Sequence, residues 1–110
     1  MDIKFNKWIA LFSQSGKEII DISSRIGRKP DAVISNNHPS NIDEILKGVQ
    51  YHWLTTFGKE SKSLDILDEI VEDRDNTLIT LNGWLRIVPP DKCRRYNIYN
   101  GHPGLITLYP

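Results

Sequence analysis

Beyond Met1, the only sulfur in this 110-residue sequence is one cysteine, Cys93. A lone thiol excludes an internal disulfide and a zinc ribbon, and it fits a reducing cytoplasm. No apolar run approaches the ~20 residues a membrane span needs. The segment after Met1 is too polar for a secretory leader, so the expectation is a cytoplasmic protein with no membrane partner. An excess of either charge is also missing: lysine plus arginine and aspartate plus glutamate number 14 each, and the formal net charge is zero. Without a global field nucleic acid is disfavoured as a partner, and any anion binding must be local. His38 and His52 have no second ligand at metal spacing, so both are read as structural and no metal site is expected.

What is present alternates between strand and helix patterns. Residues 8–12 are a continuous apolar run ending at Ser13, Gln14, Ser15 and Gly16, the pattern of a buried parallel strand entering a turn. After Gly16, Ile19, Ile20, Ile22 and Ile26 share a helical face, and Gly27 stands where that helix would end. Residues 32–34 read as a second strand, a brief helical turn starts at residues 41–44, and residues 51–56 make a third strand. Leu64, Leu67, Ile70 and Val71 carry one amphipathic helix with Asp65, Asp68, Glu69 and Glu72 outward. Residues 77–81 form a fourth strand running into Asn82, Gly83 and Trp84. Pro89 and Pro90 open a short helix through Cys93, and residues 97–100 form a fifth strand. The fold class predicted is α/β, an open and mostly parallel sheet with flanking helices in one domain, residues 1–110. A chain of this length buries roughly two-thirds of its unfolded surface.

Ligands in such sheets bind outside the carboxyl ends of the strands, where the strand order switches. Three strand ends carry suitable loops, at residues 13–16, 82–86 and 100–104, and they are expected to converge on one crevice. Gly16 at a helix start offers free N–H groups and the positive end of a dipole to a phosphate or carboxylate, with Lys17 adding charge. The stretch is not a Walker loop, because Leu11 replaces the leading glycine and Glu18 follows Lys17. It has a single glycine, so it is not a dinucleotide fingerprint either. Asn100 and His102, an amide donor and an imidazole at alternate positions, suit an oxygen that becomes negative as a carbonyl is attacked. The bland alternative is a turn at Asn100 and Gly101 with His102 following it. Trp84 is the only tryptophan in a candidate ligand loop, and the Arg94 and Arg95 pair reads as a solvated face.

The spacing of two blocks resembles the folate-dependent formyltransferases, most closely the phosphoribosylglycinamide type. That family carries G-F-M-R-I-L-x-P followed by N-x-H-P-S-L-L-P. This sequence has Gly83, Trp84, Leu85, Arg86, Ile87, Val88, Pro89 and Pro90, then Asn100, Gly101, His102, Pro103, Gly104, Leu105 and Ile106. The resemblance runs from about Trp8 to the chain end and implies a Rossmann-like formyltransferase fold. It implies that 10-formyltetrahydrofolate is the formyl donor and that Asn100 and His102 polarise the formyl group while an amine attacks. Arg86, Ile87 and Val88 align with the backbone that hydrogen-bonds the pterin, with Leu85 close to the transferred carbon. Ser15, Gly16 and Lys17, with Gly83, fall at the amine-substrate positions.

Two departures matter. The family has Gly-Ser-Asn where this chain has Gly16, Lys17 and Glu18, and an anion there opposes a phosphate, which counts against glycinamide ribonucleotide. The family's catalytic aspartate lies downstream of the His-Pro block, beyond Pro110, so the chain reads as the first half of a family domain. Weak or no catalysis by the chain alone is expected, together with self-association or a complementing C-terminal half. The amine stays open between a ribonucleotide, an amino sugar on a nucleotide and methionyl-tRNA, with zero net charge counting against the tRNA. A reading from another class is a non-catalytic α/β module that binds a nucleotide or pairs its sheet edge with a protein.

Overall fold

The computed structural model describes residues 5–13, 16–38, 46, 48–54, 59–84, 87–102 and 105–108. Strand β1 (Lys7–Phe12) is buried at every position after its first. Its apolar run does not alternate because both of its faces are covered. β4 (Thr77–Leu81), buried throughout, pairs with it in parallel, Ile9 opposite Ile79. On the other side β2 (Ala32–Ser35) sets Val33 opposite Ala10, and β3 (Gln50–Trp53) forms one edge of the sheet. β5 (Asn97–His102) pairs with β4, and β6 (Leu105–Leu108) runs antiparallel to β5 at the other edge. The order is β3-β2-β1-β4-β5-β6, with the first five strands parallel. This is the open α/β architecture that the alternating elements predict.

Each face of the sheet has its own core. Helix α1 (Lys17–Ile26) lays Ile19 and Ile22 against Trp8, Ala10, Phe12, Val33 and Leu78. It ends at Gly27, whose φ of 71° is left-handed and whose N–H donates to the Ser23 carbonyl at 2.9 Å. On the opposite face Ile9, Leu11, Ile34, Ile79, Leu81 and Ile98 meet Leu67 of α3 (Ile66–Ile70) and Val88 and Tyr96, which flank α4 (Pro90–Arg95). Helices therefore cover both sides, and β1 and β4 lie at the centre.

The single amphipathic helix expected after residues 61–63 is instead two, α2 (Lys59–Ser63) and α3, separated at Leu64. Leu64 has a left-handed φ of 52° and is fully buried, and its carbonyl accepts the Leu67 N–H at 3.0 Å to start the next turn. A left-handed leucine costs roughly 1–2 kcal/mol, while burying its side chain contributes about 1.5–3 kcal/mol. Packing wins over helix continuity. The fifth strand also differs, running on to His102 because Gly101 faces Ile106 and His102 faces Leu105 on β6. Asn100 and Gly101 are thus strand residues, and the turn reading of that pair is overturned. The helical turn expected at residues 41–44 and the strand end at residues 55–56 lie outside the described residues.

Arg94 and Arg95 are both exposed, as a solvated face requires, and Arg95 is in addition ion-paired. Its guanidinium meets Asp68 at 2.9 Å, and beside it the Lys92 ammonium, with its side chain only 3% exposed, meets Asp68 at 2.7 Å and Asp65 at 3.1 Å. The Tyr96 hydroxyl donates to Asp68 as well. A buried ammonium is costly without partners, and Asp68, though exposed as expected, supplies one from α3. The hydrogen bond from Lys92, then that from Tyr96, holds the Asp68 carboxyl well below the usual carboxylate range. Burial alone would depress the Lys92 ammonium, but its bonds to Asp68 and Asp65 outweigh that and raise it. This cluster ties α3 to α4.

Candidate functional site

Strand order reverses between β1 and β4, because β2 and β3 lie to one side of β1 while β5 and β6 lie beyond β4. The chain leaves β1 toward α1 on one face and leaves β4 toward α4 on the other, the topological switch point at whose carboxyl edge open α/β sheets bind ligands. The two exits stay joined past the strands. The Leu11 carbonyl accepts the Asn82 N–H at 2.8 Å, and the Gly83 carbonyl accepts the Ser13 N–H at 3.2 Å. Gly83 has a φ of 75°, the left-handed conformation that lets the chain turn away from the ladder here.

Gly16 forms the other lip. Its φ is 84°, and a Cβ there would sit 2.7 Å from Leu46 Cδ1, so the turn requires glycine on both counts. Its carbonyl accepts the Ile19 N–H at 3.0 Å, and no side chain caps the helix. Lys17 is exposed, whereas the Glu18 Oε2 atom is buried without a hydrogen-bond partner.

A buried polar chain that sequence reasoning missed fixes the base of the crevice. The Trp8 indole N–H donates to the Thr80 hydroxyl oxygen at 2.8 Å, and the Thr80 hydroxyl donates to the Asn82 amide oxygen at 2.7 Å. All three side chains are buried. The signal for it was threonine in an otherwise apolar central strand, which needs a partner that only the fold reveals.

The loop from β4 to α4 and the end of β5 stand side by side. Leu81 pairs with Asn100, so the Asn100 position lies one strand from the residues that begin the loop. Asn100 is half-buried, and on its other side it faces Thr107 of β6. His102 continues the same strand. In the loop, Ile87 is 83% exposed while Val88 is buried in the core beneath α4. The Pro89 carbonyl accepts the Lys92 and Cys93 N–H groups at 3.0 and 3.1 Å, which sets the start of α4. Burial raises the Cys93 thiol pKa, so the sulfur is a packed group and not an activated nucleophile. Ser15, Leu85 and Arg86 lie outside the described residues, so the structure brings together Gly16, Lys17, Gly83, Ile87, Val88, Asn100 and the backbone of His102 along one edge.

A cleft of ≈ 410 Å³ sits at the opposite edge, where Lys7, Asp31, Gln50 and Thr77 stand at the starts of their strands. Open α/β sheets bind ligands at the carboxyl edge, which here carries the strand-end loops and the N-terminus of α1. Among the described residues no three of His, Cys, Asp and Glu gather as a metal set, and no helix is long and apolar enough to cross a membrane. Compared with protein-family models, curated proteins and solved structures, the chain gives no significant match to any.

Proposed function

We propose that the carboxyl-edge crevice receives a reduced folate and that the chain takes part in formyl transfer to an amine, on a Rossmann-like formyltransferase fold. The observation that carries this is the pairing of Leu81 with Asn100. Of the two sequence blocks that resemble the formyltransferases, residues 83–90 follow β4 by two positions and residues 100–106 begin on β5, its parallel neighbour.

The loop also suits a planar heterocycle. Ile87 offers an exposed apolar side chain, and Trp84 carries an indole N–H with no acceptor. Residues 85–88 would hold the folate ring, and 10-formyltetrahydrofolate would supply an activated formyl group. The Asn100 amide would donate to the formyl oxygen as it gains charge, and the His102 imidazole would share that charge. Asn100 stands on a strand paired on both sides, with Leu81 and Thr107, and His102 continues that strand opposite Leu105. The buried Glu18 oxygen at the start of α1 disfavours a phosphate at that lip, so the acceptor is a nucleotide sugar whose phosphates lie elsewhere or another small amine.

Formyl transfer from 10-formyltetrahydrofolate to a panel of amines, with and without a downstream formyltransferase segment supplied, tests this. Asn100→Ala and His102→Ala should each slow transfer roughly a hundredfold or more. Transfer that survives both substitutions unchanged would contradict the assignment.

A further inference from the structure

Of its three tryptophans the chain buries Trp8 and Trp84 and leaves Trp53 open, 53% exposed at the carboxyl end of the edge strand β3. The His38 imidazole, also exposed, stands against it with ring centroids 5.0 Å apart and planes 76° apart. Two ring planes nearly at right angles bound an open corner, where a third planar ring lying flat on one meets the other edge-on. A lone exposed apolar side chain needs no explanation. Two exposed aromatic rings that meet at the carboxyl edge of an open α/β sheet do need one.

The corner stands on fixed backbone. Trp53 pairs with Ser35 of β2, and the Leu54 N–H donates to the Ser35 carbonyl at 2.8 Å. The turn that carries His38 is held twice. The Asn37 N–H donates to the Ser35 hydroxyl oxygen at 3.0 Å, and the Tyr51 hydroxyl donates to the Asn37 carbonyl at 2.6 Å. Tyr51 lies two residues before Trp53, hence on the same face of β3, and its ring meets that of Phe12 edge to face in the core beneath α1. Both rings of the corner are therefore positioned before a ligand arrives, which lowers the ordering cost of binding.

The occupant is small. Among the described residues the other exposed large apolar side chain, Ile87, follows β4, three places along the sheet from β3. The pair is thus not part of the broad apolar surface that a protein partner covers. We propose that Trp53 and His38 form a stacking site for a nucleobase, with the base flat on the Trp53 indole and the His38 ring at its edge. Every nucleobase has a π face, so the site selects for a base without dictating which one. Four strand spacings of ~4.8 Å, roughly 19 Å, separate β3 from β5. A base held at Trp53 is a handle on the far end of an extended acceptor whose amine reaches Asn100. That the base belongs to the amine rests on the formyl-transfer reading, whereas the stacking site itself does not.

Isothermal titration with adenosine monophosphate tests the site, with ribose 5-phosphate as the probe that lacks a base. The wild-type chain should bind the nucleotide and not the sugar phosphate. Trp53→Leu should weaken nucleotide binding roughly tenfold to a hundredfold. Unchanged binding by Trp53→Leu, equal binding of ribose 5-phosphate, or no nucleotide binding by wild type overturns the proposal and leaves the folate reading standing. A measurement on the wild-type chain is independent of how the variant folds. The Trp53 indole N–H proton should move upfield as the base stacks while those of the buried Trp8 and Trp84 stay, and an unmoved Trp53 signal at saturation overturns the proposal. Titration of the nucleotide-saturated chain with 5-formyltetrahydrofolate separates the two readings. Binding of both together supports both, displacement of the nucleotide by the folate overturns the stacking site, and nucleotide binding without folate binding supports the site and removes the formyl-transfer reading.

Discussion

The Thr80 hydroxyl donates to the Asn82 amide oxygen at 2.7 Å, and by this bond the central strand orients the first residue of the crevice loop. The Thr80 hydroxyl oxygen itself accepts the Trp8 indole N–H, so one hydroxyl meets a group on β1 and a group just past β4. Thr80→Val keeps the shape, removes the acceptor of the buried Trp8 indole N–H and takes one donor from Asn82. The expected cost is about 2–4 kcal/mol in a urea titration, with Thr80→Ser recovering most of it. A loss below about 0.5 kcal/mol for Thr80→Val would show that the chain contributes nothing.

The lip at Gly16 is a separate matter of sterics. Gly16→Ala places a Cβ at a φ of 84° and 2.7 Å from Leu46 Cδ1. Conformational strain alone is worth about 1–2 kcal/mol, and displacement of Leu46 adds to it. Adding Leu46→Ala should recover the clash but not the strain, so the double variant is less destabilised than the sum of the singles.

Asp68 gives the fold a dependence on pH. Its folded pKa lies below its unfolded value, so its contribution is fully present above about pH 4 and is lost as pH falls through the folded value. Asp68→Asn should therefore melt at a lower temperature than wild type at pH 7, and the gap should shrink on acidification below about pH 4. A gap that persists undiminished at pH 2 contradicts the assignment. Removing the other partner should cost less. Lys92→Met leaves Asp68 with Arg95 and Tyr96, and its expected cost is within about 2 kcal/mol.

Much of the architecture is legible in the sequence, for identifiable reasons. Strands buried on both faces, such as β1 and β4, declare themselves as apolar runs, and Gly16 and Gly27 mark the ends of α1 because only a left-handed residue fits there. Long-range pairing is not local information. The extension of β5 to His102 depends on β6, and the broken helix at Leu64 depends on what that leucine packs into. Asn100 and Gly83 could be singled out from residue type and spacing, since both stand at strand ends. Lys92 and Thr80 could not, because a lysine in a short helix and a threonine in a strand look ordinary until their partners arrive from 24 and 72 residues away.

Residue-level chemical-shift changes on titration with 5-formyltetrahydrofolate test the central claim most directly. The account predicts that the perturbed amides cluster at Gly83, Trp84, Val88 and Asn100 along the carboxyl edge. Saturating titration with no change there, or changes confined to Lys7, Asp31 and Thr77 around the cleft at the amino edge, would contradict it.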